Sequence, residues 1–497
     1  MEQIVIASNA TEAHSLSGAC CLALLSALGN TKVSFPGTAA YNASQASYFA
    51  AQQSEATPLC VVSPASTEDV VEVIKSLVGT SGSLEHPEQR AVCRFAVRSG
   101  GHSSVPGAVN SDGGVTVDLR ALNGVEFAGE DKDVVKIGVG ARWGAVYRYL
   151  EEFGLSVTGG RVSDVGVGGL TLGGGISFFS PRYGWACDSV VNFEVVLADG
   201  AVVNANEDEN RDLLVALRGG SGNFGIVTRV DMRTFEQGEF RGGGGFYGIE
   251  TIGEHLKAFE EITQPEGYEE YLSQIFSFGY AGGLGSYVFQ SMVYTKAELE
   301  PKAWAKVDAI PALQSTVRLD KMSGFAEEMN AFNPSGKRQF WLQTTFQSTP
   351  AMHNATFTHC EASKPELEHV EDVVVSLSLH PVPPSFYKNK QSTGNSLGLS
   401  SREGTLIIAG LTISWKNKED DELVHKTGKA IMEAIEKDAK KMGAGDEYLY
   451  LNYVGASQDP ITSYGSETDK VLRAVKKRVD PDGVFSQGSC GGFKLKA

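Results

Sequence analysis

The sequence predicts an α+β protein in two parts: a glycine-rich ligand-binding domain of short strands, then a domain with an antiparallel sheet covered by helices. Three observations predict this. Short β-branched runs recur among helical segments without the regular strand–helix alternation of a doubly wound parallel sheet. Glycine makes up 57 of 497 residues and gathers in short runs with no fixed period, as tight turns beside a bulky ligand require. Longer apolar strands and amphipathic helices then fill the second half. A chain of this length can bury more than one core.

The elements follow in order. Residues 1–57 read as an N-terminal segment, and a ligand-binding domain is expected over 58–237. Pro64-Ala65-Ser66-Thr67-Glu68-Asp69 opens a helix, with Ser or Thr as cap and carboxylates in the first turn. Val70, Val71, Val73, Ile74 and Leu77 supply its apolar face. The alternating run 92–97 reads as a half-buried strand. Short strands follow at 115–119 and 134–139, then a helix over 142–153 ended by Gly154. Residues 190–197 and 201–203, joined by Asp199-Gly200, read as a hairpin. A helix over 210–218 leads through a glycine run into a strand at 226–232. Gly242 to Gly245 mark a composition shift and a domain boundary, opening a second domain over 238–446. Strands are expected there at 286–294, 339–346 and 406–415, helices at 252–263, 369–379 and 422–442, and a loop at 391–401. Residues 447–497 form a C-terminal segment.

Composition excludes several functions. A net charge of −17 leaves no basic stripe for nucleic acid, and no apolar run is long enough to span a bilayer. The seven cysteines have no zinc-ligand spacing. Four of them, Cys20, Cys21, Cys60 and Cys93, fall in the first hundred residues, where either one or two disulfides or buried free thiols fit. Met1-Glu2-Gln3 lacks the basic start of a secretory signal. Sequons at Asn9, Asn42 and Asn354 nonetheless suit a secreted protein or the lumen of the secretory pathway, the cytoplasm being the other expectation. His353 and His359 flank the last sequon and are expected on the surface.

Five segments carry chemistry. Arg98-Ser99-Gly100-Gly101-His102-Ser103 is a turn whose exposed N–H groups suit phosphate oxygens, with an imidazole directly after it. The densest glycine run reads GGRVSDVGVGGLTLGGG from Gly159 to Gly175. Gly220-Ser221-Gly222-Asn223-Phe224-Gly225 matches GxGxxG, but with a helix before it and a strand after it. That order is the reverse of what puts a pyrophosphate on a helix N-terminus, so a Rossmann nicotinamide enzyme is rejected. The last are Tyr450-Leu451-Asn452-Tyr453 and Asp480-Pro481-Asp482-Gly483-Val484-Phe485.

In this order, RSGGHS, GGRVSDVGVGGLTLGGG, LRGGSGNFGIVTRV, YLNY and DPDGVF make the chain resemble the berberine-bridge-enzyme-like flavoproteins of the vanillyl-alcohol-oxidase superfamily, from about Pro58 onward. The resemblance implies a PCMH-type FAD-binding domain of two subdomains, a substrate domain, and a C-terminal segment returning to the FAD domain. It implies that His102 is bonded through its ring to the flavin 8α-methyl. Cofactor contacts are then expected from Arg98, Ser99, Gly100, Gly101, Ser103, Gly160, Asp164, Val165, Gly168, Gly169, Gly222, Val227, Tyr450 and Asn452. Of these, Asp164 has no assigned role, and Arg98, at a strand end, is either a partner of reduced flavin or solvated.

Two departures shape the expected function. Many relatives form a second flavin bond through a cysteine where this chain has Val162, so a single covalent link is expected. Gly410 stands where plant relatives place a Glu or Gln, and it cannot abstract a proton. Tyr453 remains as base or as plain wall of the site; a phenol titrates near pKa ~10 and needs a neighbouring positive charge to act as a base. Val165 matches the position that governs oxygen access. The resemblance therefore implies a monomeric FAD oxidase acting on a small secondary-metabolite-like substrate and dioxygen. A cyclase or isomerase without net oxidation, and a flavin-binding protein without catalysis, are the alternatives.

Overall fold

The computed structural model describes residues 16–79, 93–266, 268–388, 393–489 and 491–495. Among the described residues the strands form sheets of four, five and ten members and one two-stranded ribbon. In the four-stranded sheet Cys60–Val62, Val115–Asp118 and Phe95–Arg98 run parallel, and Val33–Ser34 adds antiparallel to Cys60–Val62. The five-stranded sheet is antiparallel. Its central strand, Ile226–Arg233, lies between Val134–Gly138 and Val190–Val196. The helix Thr67–Gly79 buries Val70, Val73, Ile74 and Leu77 in the core shared by these sheets.

The first helix, Leu16–Leu28, is tied down at two adjacent residues: Cys20 is disulfide-bonded to Cys93, and Cys21 to Cys60. The sequence had left this open against free thiols. Cys187 and Cys360 are buried free thiols. The sequon at Asn9 and residues 391–392 of the expected loop lie outside the described residues, as do Val92 and Cys490.

The ten-stranded sheet carries the second core. Its strands alternate strictly, as a pleated sheet with one face on helices must. On Leu272–Ala281, Phe276, Phe278 and Tyr280 pack into the core, whereas Ile275 and Ser277 face a cavity. On Leu406–Trp415, Ala409, Leu411 and Ile413 pack inward, while Gly410, Thr412 and Ser414 face the cavity. The helices Ile252–Ile262, Pro350–Ala362 and Asp421–Lys441 contribute Phe259, Met352, Val424 and Ile435 to that core.

One expectation is corrected here. The helix predicted over 369–379 is instead the strand Val374–Val382. Val375, Leu377 and Leu379 pack inward and Val374, Ser376, Ser378 and His380 face the cavity, a period of two beneath a run read as amphipathic helix. In the glycine run at 242–245, Gly242, Gly244 and Gly245 belong to the sheet strands Phe240–Gly242 and Gly244–Gly248, among the first of the ten-stranded sheet. Their missing side chains admit aromatic rings: a Cβ at Gly242 would sit 2.8 Å from Phe325, and one at Gly244 2.7 Å from Phe289.

The C-terminal segment returns to the first sheets. Phe95 donates its N–H to the Gly488 carbonyl at 2.7 Å. The Asn223 amide donates to the Phe493 carbonyl at 3.1 Å, and its Oδ1 accepts from Leu495 N at 3.1 Å.

Candidate active site

The strand Phe95–Arg98 delivers the Gly-Gly-His turn, and Arg98 anchors it from behind. Arg98 is 0 % exposed, so its expected solvation is wrong. Its Nη1 donates to the Ser44 carbonyl at 2.9 Å and its Nη2 to the Ser47 carbonyl at 2.8 Å; Asp118 lies 3.8 Å away, and the guanidinium stacks 3.8 Å over the Tyr48 ring. These partners make its burial tolerable. Gly101 has φ +76°, and a Cβ there would meet Arg98 Nε at 2.7 Å. Gly100 and Gly166 touch backbone to backbone: a Cβ on Gly100 would lie 2.5 Å from Gly166 N. Ser99 locks the pair, its Oγ donating to the Val139 carbonyl at 2.6 Å and accepting from Gly168 N at 3.2 Å.

This close approach shapes one end of a cavity of ≈ 870 Å³ that runs between the glycine segments and the open face of the ten-stranded sheet. Small-molecule sites span ~300–1,000 Å³. Ser99, Gly100, Gly101, His102 and Ser103 line it, as do Val165, Gly168 and Gly169 from the glycine-rich run and Gly222 and Val227 beyond it. Tyr450, Asn452 and Tyr453 line it from the C-terminal segment, with Phe485 and Phe493. Arg98, Gly160 and Asp164 are not among its lining residues. The Gly160 carbonyl accepts from the Tyr147 hydroxyl at 2.7 Å, and Asp164 pairs with Arg142. Tyr450 and Asn452 also hold protein backbone. The Tyr450 hydroxyl accepts from Gly175 N and Ile176 N at 3.1 Å, and Asn452 donates to the Leu170 carbonyl at 2.9 Å.

Three features fit a flavin dinucleotide. A methyl at Gly169 or Gly222 would meet no protein atom within 4 Å and would intrude on the cavity. His102 stacks on Phe49 with ring centres 3.9 Å apart and planes 12° from parallel, and its Nε2 has no hydrogen-bond partner. Burial, with a smaller contribution from Arg142, lowers its imidazole to about 4, so the ring is neutral at physiological pH. Val162 lines the cavity, and among the described residues no cysteine does.

Above this end lies a group that the sequence reading missed. Arg161 Nη2 donates to the Tyr453 hydroxyl at 2.5 Å and to His380 Nδ1 at 3.4 Å. Arginine only donates, so Nδ1 accepts and the His380 proton sits on Nε2. Burial and the Arg161 charge hold His380 well below the usual imidazole range, hence neutral. A Cβ at Gly410 would lie 3.8 Å from Tyr453 Cδ2 and 4.0 Å from His380 Nε2, so this is the position left without an acid. His380 was hidden by reading its strand as a helix. Arg161 sat within a quoted motif, but only the fold shows that it reaches Tyr453. His353 and His359 lie elsewhere: His353 is buried, 1 % exposed, against the surface expectation, because it packs on Phe259 and hydrogen-bonds Ser348 at 3.1 Å. His359 is half-buried against Asp438.

The fold and cavity fit an FAD-linked oxidoreductase. A family model described as an FAD binding domain matches residues 58–206. An FAD-dependent monooxygenase of Emericella nidulans is 36% identical over 97% of this chain and 99% of its own length. A Diaporthe leptostromiformis protein named as an oligopeptidase is 37% identical over 95% of this chain, which spans only 37% of that protein's length. Among solved structures, 6-hydroxy-D-nicotine oxidase from Arthrobacter nicotinovorans superposes with a TM-score of 0.74 at 20% identity, covering 93% of this chain and 97% of its own. The chain belongs to the FAD-linked oxidoreductases represented by this Emericella relative, and it shares the fold of 6-hydroxy-D-nicotine oxidase and of berberine bridge enzyme.

Proposed function

We propose that the chain is an oxidase that carries FAD on a single covalent bond from His102 and oxidises a small organic substrate with dioxygen as acceptor. The observation that carries this reading is the neutral, stacked His102 imidazole with an unpartnered nitrogen beside the glycine cradle. A neutral imidazole is a competent nucleophile. Bound FAD would supply hydride acceptance and electron transfer to oxygen. Ser99 to Ser103 and the backbone near Gly168, Gly169, Gly222 and Val227 would hold it. Tyr453 Oη faces the substrate, and Arg161 supplies the positive charge beside that oxygen that the sequence alone did not locate. Val165, with its short side chain, lines the cavity and leaves room for dioxygen. The two disulfides support an oxidising compartment, the secretory lumen or beyond it.

The relatives' names favour a second reading, in which one oxygen atom enters the product. Acid precipitation tests the covalent bond: yellow colour should stay with the wild type and be released by His102→Ala. Colour freed from the wild type would refute the bond. Peroxide formed one-for-one with product supports the oxidase, and labelled oxygen in the product supports insertion. Product without oxygen uptake would replace both with a cyclase or isomerase.

A further inference from the structure

Arg161 is 6 % exposed, lines the cavity, and has only neutral partners, the Tyr453 hydroxyl and the His380 imidazole. Three other arginines buried as deeply are matched with carboxylates: Arg98 with Asp118, Arg241 with Asp308, Arg338 with Asp421. Among the described residues no ion pair includes Arg161. A buried charge without a counter-ion is costly, by several kcal/mol on the order of ordinary desolvation penalties, and proteins retain such a group where a ligand completes the pair. The neighbouring position that could hold an acid is Gly410. A carboxylate there would neutralise Arg161 and repel an anion; glycine does neither. The cavity that Arg161 lines is walled by aromatic rings, including Trp341, Phe246, Phe289 and Tyr287.

We propose that Arg161, with the Tyr453 hydroxyl, forms an oxyanion subsite, and that the substrate is an aromatic molecule presenting a negatively charged oxygen. The proposal rests on the flavin-site reading above and deepens it by naming the substrate class. It also accounts for the missing base. An oxygen that binds already ionised needs no carboxylate to deprotonate it, and Arg161 stabilises the charge as a charge-assisted hydrogen bond does. His380, held neutral with Nδ1 towards Arg161, orients the guanidinium and leaves its charge unspent.

The test uses the purified full chain and three probes: 4-nitrophenol, 4-nitrobenzoate and the non-ionising 4-nitroanisole. Difference spectra report how much bound nitrophenol is phenolate, and calorimetry gives the affinities. Wild type should bind nitrophenol as phenolate at a pH where most of it is neutral in solution, with its apparent pKa lowered by about one unit or more, roughly tenfold in the ionisation equilibrium. Arg161→Gln should abolish that shift and leave nitroanisole affinity unchanged, while Arg161→Lys, retaining the charge, should restore part of the shift. A preference for nitrobenzoate over nitroanisole without phenolate stabilisation assigns the oxyanion to a carboxylate; phenolate stabilisation assigns it to a phenol or enol. Nitrophenol bound in neutral form with no carboxylate preference, or a shift that survives Arg161→Gln, overturns the proposal. So does a flavin potential that falls in Arg161→Gln while probe ionisation is untouched, since the charge would then serve the reduced cofactor. Flavin content is read separately. Protein that takes up no FAD when incubated with it yet still ionises nitrophenol keeps the subsite and fails the flavin reading.

Discussion

Tyr453 reaches the cavity because the chain turns through Leu451–Tyr453 directly after Tyr450 clamps the glycine segment. Its hydroxyl meets Arg161, its ring packs edge-on to Trp341 at 5.9 Å, and His380 lies 5.1 Å from it, ring centre to ring centre. Tyr453→Phe removes one oxygen and keeps the packing, so the fold should be unaffected. The rate constant for flavin reduction, followed by stopped-flow absorbance, should fall by about 10²- to 10³-fold, the usual worth of one positioned hydrogen-bond donor to a charged oxygen. An unchanged rate would make Tyr453 a wall. The sequence identified this tyrosine through its motif and stated that a positive charge was required, but it could not say where that charge came from. Residues 161 and 453 are brought together by tertiary packing alone, and no spacing encodes such a meeting.

At the scale of elements, the glycine-bearing turns are where sequence and structure agree most closely. Gly100 and Gly166 allow two backbones to touch, and their motifs announced close approach, although not which glycines would face each other. Gly100→Ala would drive a methyl to 2.5 Å from Gly166 N. Backbone on both sides cannot yield cheaply, so a cost of about 1–3 kcal/mol is expected, together with reduced flavin content; thermal melting and the flavin-to-protein absorbance ratio measure the two. The strands Leu406–Trp415 and Arg338–Gln347 were legible because long β-branched and aromatic runs leave little choice. Val374–Val382 was not, since the acidic stretch ahead of it and its valines mimic a helix entry when read without sheet partners. Phe325 and Phe289 fill the space left at Gly242 and Gly244, a packing that the glycine run by itself does not announce.

The whole molecule should respond to acid in a defined direction. His255 and His353 are both buried, and burial holds each at about 4, against an ordinary value of 6.5. Gln290 donates to His255 Nδ1 at 3.2 Å, which requires the neutral ring. Between those pH values the unfolded chain binds protons that the folded chain refuses, so stability is full above pH 6.5 and falls as pH drops towards 4, by up to roughly 3 kcal/mol per histidine. Asp118, held below its usual range by its Arg120 and Arg98 partners despite burial, adds a further loss at lower pH. Melting temperature measured from about pH 7 to pH 4 should decline, and His353→Gln should flatten the decline; a flat wild-type profile would contradict the assignment. The C-terminal latch has another consequence, for the order of events in the cell. Phe49 stacks on His102 near one end of the sequence, while Phe485 and Phe493 wall the same cavity from the other. During synthesis on the ribosome, the earlier sheets can pair and the turn bearing His102 can form, but the cavity stays open on one side until residues 485–495 have been made. A cofactor that needs the closed cavity would then be captured only after these residues have been made, so how long the empty chain survives would limit how much of it is loaded.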